Sequence, residues 1–240
     1  MTSVDGRGRL RVRPHRLNTA IATLFIVGSV GFALGSTEAY ASAVGVTADA
    51  VTFFVASIFF TSASFLQLVQ SQSPEMAAGG RGHDDTRRPA RLVAWLPHDR
   101  NWLAAVTQFP GTLFFNGTTF WAMTVATTSG EYDAVVWRPD FYGSILFLVS
   151  SAFAVLANGR FLSWQPRQAG WRIAWLNMVG SIAFMLSAIA AWVDPNTSVE
   201  IDPAVAASTT FAGAVCFLAG AVLMIPAWRK ASHDASTGRA

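Results

Sequence analysis

Long uncharged stretches alternate with short polar ones along this chain, and the apolar stretches are too long for soluble helices. A bilayer core about 30 Å thick requires roughly 20 apolar residues of helix. Six blocks meet that length: Leu17–Ser36, Ala50–Gln70, Trp102–Thr127, Phe141–Asn158, Trp171–Val193 and Ala204–Trp228. None contains Asp, Glu, Lys or His, and Arg172 stands at an edge where its side chain reaches the headgroup level. The pattern predicts an all-α integral membrane bundle of six transmembrane helices.

A finer pattern runs inside every block: small, small, two residues, Phe, two residues, small, small. It begins at Gly28-Ser29 with Phe32, Ala56-Ser57 with Phe60, Gly111-Thr112 with Phe115, Gly143-Ser144 with Phe147, Gly180-Ser181 with Phe184, and Gly213-Ala214 with Phe217. Positions 0, 4 and 7 of such a run share one helix face. Small residues let two backbones approach, and in lipid this packing drives association because no hydrophobic effect acts between helices. Gly28, Gly35, Gly111, Gly143, Gly180, Gly213 and Gly220 are the expected packing glycines, and Gly31 with Gly35 adds a Gly-x-x-x-Gly pair.

The blocks also repeat. Sixty-nine residues separate Arg91, Trp95, Pro97, Trp102, Gly111 and Phe115 from Arg160, Trp164, Pro166, Trp171, Gly180 and Phe184, without a gap. Pro14 precedes Gly28 by the same interval as Pro97 precedes Gly111. Repeats of this size govern the fold, and they predict three helical hairpins. The expected organisation is a basic cytoplasmic tail at 1–16, a first hairpin at 17–70, a flexible cytoplasmic loop at 71–90, a second hairpin at 91–158, a third at 160–228 and a tail at 229–240. Residues 1–13 and 230–240 lack apolar periodicity and are expected to be disordered. Arg91–Leu96 and Phe161–Trp164 are expected to lie in the interface.

Residues 172–228 carry Asn177-Met-Val-Gly180-Ser181-Ile-Ala-Phe184 and Phe211-Ala-Gly213-Ala-Val-Cys-Phe217. This stretch resembles the two-helix YrhK-type membrane domain. With Thr112–Asn116, Trp137-Arg-Pro-Asp140 and Gly143-Ser144, the longer layout resembles actinobacterial multi-pass proteins that carry that domain. The resemblance implies a membrane location and a helical fold, and no mechanism.

Charge orients the chain. Of its 17 Lys and Arg, all but Arg138 fall in the N-terminal tail, the 71–100 region, the 160–172 region or the C-terminal tail. Glu38, Asp49, Glu131, Asp133, Asp140, Asp194, Glu200 and Asp202 share the opposite side with Arg138. The positive-inside rule then places both termini in the cytoplasm of a bacterial plasma membrane. A cleavable leader ending near Ala39–Ala43 is the rival reading, but the Leu17–Ser36 block is longer than a signal core. Membrane lipids are the expected partners, anionic ones through Arg7, Arg9, Arg11, Arg13 and Arg16. No nucleic acid is expected, because no aromatics interleave these arginines.

Composition fits the same reading: 13% of residues are charged and mean hydropathy is +0.38, where soluble domains carry about 25% charged residues. The single cysteine, Cys216, cannot form an internal disulfide.

Candidate chemistry is sparse. His15, His83, His98 and His233 have no partner at metal-ligand spacing, and His83-Asp84-Asp85 is the one local cluster of ligand types. There is no nucleophile elbow and no phosphate-binding glycine loop, so no enzyme, cofactor or metal is expected. The outer acids are read as helix caps and dipole partners ahead of a cation site. The buried polar candidates within the apolar blocks are Gln67, Gln108, Asn116 and Asn177, and interhelical hydrogen bonding is their first reading. The alternative is a small transporter or lipid-interacting protein. Gln108, Asn116 and Asn177 would then bind a neutral solute, since repeats and a proline beside Gln108 suit such a site.

Overall fold

The computed structural model describes residues 3–4, 10–73, 76, 88–124, 132–161, 163–194, 196–197 and 199–236. Helices α1 (Pro14–Gly35), α3 (Val46–Ser71), α4 (Arg100–Thr124), α5 (Arg138–Ala157), α6 (Ala169–Ala190) and α7 (Pro203–Ser236) form the body, with a short α2 at Glu38–Val44. A π-helical turn at Asp133–Trp137 leads directly into α5.

Local chemistry sets the ends. Pro14 opens α1, where a missing N–H costs nothing and a fixed φ helps. Asp99 caps α4, accepting from the backbone N–H of Asn101 at 2.8 Å and of Trp102 at 3.2 Å. Asp202 does the same for α7 through the Val205 N–H at 3.0 Å. Gly45 joins α2 to α3 at φ +82°, a conformation that side chains disfavour, although a Cβ there would meet nothing. Between α6 and α7 the backbone turns through an antiparallel bridge of Val193 with Glu200.

The six long helices pack in chain order around a closed ring. α1 lies on α3, α4 on α5 and α6 on α7; α3 then meets α4, α5 meets α6, and α7 returns to α1. Close approach within each pair centres on glycine. A Cβ at Gly28 would lie 2.9 Å from the Ala56 carbonyl oxygen, and one at Gly111 would lie 2.9 Å from the Phe147 ring. A Cβ at Gly143 would lie 3.2 Å from the Gly111 carbonyl oxygen. Gly180 and Gly213 face each other, each within about 3 Å of the other's carbonyl oxygen, measured from the Cβ it lacks. Gly35 accommodates the Phe53 ring and Gly220 the Asn177 side chain.

Five of these helices are long and apolar enough to cross a membrane: α1, α3, α5 with its leading turn, α6 and α7. The sixth expected span, α4, falls short of that measure of apolarity. Its 25 residues suffice in length, but Gln108, Asn116, Gly117 and five threonines lower its hydropathy.

The tails depart from the sequence expectation. Ser3–Val4 pairs with Leu10–Val12, and Leu10–Val12 with Arg88–Pro89, in a small antiparallel sheet. Ser3–Val4 and Leu10–Val12, expected to be disordered, are therefore paired in this sheet. The physical cause is non-local. Val12 and Ala90 pack against the core group that holds Leu17, Ile21 and the fully buried Met76. Ser73 Oγ accepts from the Arg91 N–H at 2.9 Å and donates to the Val69 carbonyl at 2.9 Å, which fastens both ends of the 71–90 segment. At the other terminus α7 continues to Ser236, through residues expected to form a disordered tail.

Candidate functional site

Six phenylalanines, one from each long helix, meet in the middle of the ring. Phe147 is the most buried and contacts four of the others, with ring centroids 5.0 Å from Phe115, 5.6 Å from Phe217, 6.0 Å from Phe60 and 6.4 Å from Phe184. Phe184 and Phe217 stack at 5.4 Å, and Phe32 joins through Phe60 and Phe184. Edge-to-face and offset pairs of this kind add about 0.5–1.5 kcal/mol each beyond burial.

The six repeats of the motif supply this layer in register. The residue after each leading small residue is buried: Ser29, Ser57, Thr112, Ser144, Ser181 and Ala214. The next is a large apolar side chain that faces outward: Val30, Ile58, Leu113, Ile145, Ile182 and Val215. The interior is thus lined by hydroxyls and aromatic rings while the exterior is aliphatic.

Those hydroxyls join neighbouring helices. Between α3 and α4, Ser57 Oγ meets Thr119 Oγ1 at 3.0 Å. Between α5 and α6, Ser151 and Ser181 share a hydrogen bond of 2.8 Å, and Trp137 Nε1 donates to the Ala188 carbonyl at 2.7 Å. In α1, Ser29 Oγ is buried with no partner among the described residues. Sequence reasoning counted these serines only as small; their recurrence at the second motif position was the available signal. A double-mutant cycle on Ser151→Ala and Ser181→Ala is expected to give a coupling energy of about 0.6–1.7 kcal/mol. Strict additivity of the two substitutions in detergent unfolding would contradict the bond.

The three residues expected to bind a solute lie in three different interfaces. Gln108 is between α4 and α5, where its Oε1 receives a long 3.4 Å bond from Ser150 Oγ. Asn116 is between α3 and α4, accepting from Thr61 Oγ1 at 3.0 Å. Asn177 is between α6 and α7, with its Oδ1 against Gly220. The ring does not bring them together. Gln67 Oε1 is buried without a partner among the described residues. A cavity of about 20 Å³ lies among the phenylalanines, with Ser57 and Thr112 in its wall. That is close to the volume one water needs, and both hydroxyls already donate to backbone carbonyls of their own helices.

Outside the core, Arg138 pairs with Asp133 at 2.9 Å. His15, His98 and His233 are exposed and far apart in sequence. His83, Asp84, Asp85 and Glu131 lie outside the described residues.

Burial pushes the Tyr132 phenol up to about 12, and the charges of Glu200 and Asp140 act in the same direction. The folded chain holds this phenol neutral where the unfolded chain ionises near 10.0. Below that value both states are protonated and Tyr132 adds no pH dependence; from about 10 to about 12 stability falls as pH rises. An alkaline titration is expected to show a tyrosinate component with a midpoint near 12 that disappears in Tyr132→Phe. Loss of absorbance only near the ordinary midpoint would contradict this.

No protein-family model, curated protein or solved structure matches the chain.

Proposed function

We propose that this chain is a six-span, non-enzymatic protein of a bacterial plasma membrane, with both termini cytoplasmic and α4 as the sixth span. One observation carries the reading: the bundle's outer surface is as apolar as its core. Serines and threonines are buried among the core's aromatic and small apolar residues, and each long helix turns Val, Ile, Leu or Phe outward. In water such a surface would be an aggregation patch far beyond the few hundred Å² that soluble monomers expose. In hydrocarbon it is the favourable solvent contact, and the internal hydroxyls find partners that lipid cannot provide.

The length of α4 supports its place beside the other five. At 1.5 Å per residue its 25 residues reach about 37 Å, and packing between α3 and α5 shelters its polar residues from lipid. The resemblance of residues 172–228 to the YrhK-type hairpin agrees with this architecture. The arrangement of Gln108, Asn116 and Asn177 in separate interfaces gives the transporter alternative no support.

Reporter fusions in each loop test the topology. Alkaline phosphatase fused after residue 130 or residue 197 is expected to be active, and after residue 80 or residue 236 inactive. Phosphatase activity at residue 80 would overturn the orientation, and activity at both residue 80 and residue 130 would remove α4 from the spans.

A further inference from the structure

The segments that lead into α4 and α6 begin alike. Trp95 and Trp164, each 80% exposed, pack edge-to-face on the buried Trp102 and Trp171 at 5.5 and 5.0 Å. Past the tryptophans they diverge. Trp171 Nε1 donates to the Ser163 carbonyl at 2.7 Å, whereas the Trp102 indole N–H has no partner among the described residues. Asp99 and Arg100 stand where the other segment has Gln168 and Ala169. In addition α5 stops at Ala157, while α7 runs on to Ser236.

The result is a cleft of about 750 Å³ beside the start of α4. Trp95, Pro97 and Leu156 form its apolar wall, and Asp99, Arg100 and Asn101 its polar edge. Both charges are held in place. Asp99 Oδ1 is fixed by the two backbone N–H groups it caps. Arg100 Nη1 reaches across to the Leu156 carbonyl at 2.6 Å, which uses one of the guanidinium's five N–H donors. A fixed cation and a fixed anion thus stand side by side above an apolar surface.

We propose that this cleft seats the headgroup of a zwitterionic phospholipid with a primary ammonium. Its phosphate meets Arg100 and Asn101, its ammonium meets Asp99, and its glycerol and upper acyl chain lie along Trp95. An anionic headgroup without the ammonium leaves Asp99 opposed to the phosphate. A quaternary ammonium offers Asp99 no N–H. The proposal rests on the membrane reading above, which sets this end of the bundle at headgroup depth.

Native mass spectrometry of the full chain in nonionic detergent tests it, with phosphatidylethanolamine, phosphatidylcholine and phosphatidylglycerol as probes. Phosphatidylethanolamine is expected to bind about 5-fold tighter than the other two, the effect of one charge-assisted hydrogen bond. Asp99→Asn keeps the cap, since Asn caps as well as Asp, and is expected to bring phosphatidylethanolamine and phosphatidylcholine within about 2-fold of each other. Asp99→Ser repeats that test with a different capping side chain. Arg100→Gln is expected to weaken all three lipids. Equal affinities in the unaltered chain would overturn the proposal. So would a preference that survives both Asp99 variants, or displacement of the lipid by inorganic phosphate and ethanolamine. Failure of the membrane reading looks different: the chain would stay dispersed without detergent.

Discussion

Phe147→Ala is expected to lower unfolding stability in detergent by about 2–4 kcal/mol. Burying a Phe→Ala cavity costs about 3–5 kcal/mol in soluble cores. Part of that is transfer from water, which a lipid-solvated chain does not recover, and the rest is lost contact around a void. Phe147 is 1% exposed, contacts four of the other five core rings and also covers Gly111. No neighbour can collapse into its place without opening another helix contact. Phe147→Leu keeps most of the volume and is expected to cost about 1 kcal/mol. Phe211→Ala, on the outward face of α7, is the control and is expected to stay within about 0.5 kcal/mol. An alanine at Phe147 that unfolds together with the unaltered chain would show that the rings do not hold the bundle.

The second large effect is at the α6–α7 crossing. Gly180→Val is expected to cost about 3 kcal/mol or more, or to prevent the hairpin from forming. A Cβ at Gly180 would lie 2.9 Å from the Phe217 ring and 3.1 Å from the Gly213 carbonyl oxygen. The ring can move only against the packed centre, and the carbonyl belongs to helix backbone. Overpacking of this kind costs about 1–3 kcal/mol even where side chains adjust. Gly117 in α4 gives the contrast, because a Cβ there meets nothing within 4 Å. Gly117→Ala is expected to be neutral or to stabilise by up to about 1 kcal/mol through helix propensity alone. Equal effects at Gly180 and Gly117 would contradict close backbone packing.

Much of this architecture was legible because spacing and length constrain long apolar helices strongly. The six blocks became the six long helices, within a few residues at most ends. The motif around Gly28, Gly111, Gly143, Gly180 and Gly213 marks the faces that meet. Convergence of the six phenylalanines was implicit: neighbours cross at their glycines, and each phenylalanine, four residues on, leans back toward its helix N-terminus and onto the partner's glycine. What was not legible depends on partners far away in sequence. Strands of two or three residues have no periodicity, so Leu10–Val12 shows itself only when Arg88–Pro89 lies beside it. The separation of Gln108, Asn116 and Asn177 depends on how each helix is rotated about its axis. A third helix sets that rotation, and no pairwise pattern reports it. The cleft beside Arg100 depends on where α5 ends, and Asn158-Gly159 stops it there with Gly159 at φ +141°.

The outward aliphatic belt is the claim on which the membrane reading stands, and spin-label accessibility in proteoliposomes measures it directly. After Cys216→Ala, single cysteines at Val30, Ile58, Leu113, Ile145, Ile182 and Val215 receive the label one at a time, with Ser181 as an interior site. At all six outward positions collisions with molecular oxygen are expected to be frequent and those with a water-soluble nickel chelate rare, while Ser181 meets neither. Frequent nickel collisions at those six positions would mean that the belt faces water.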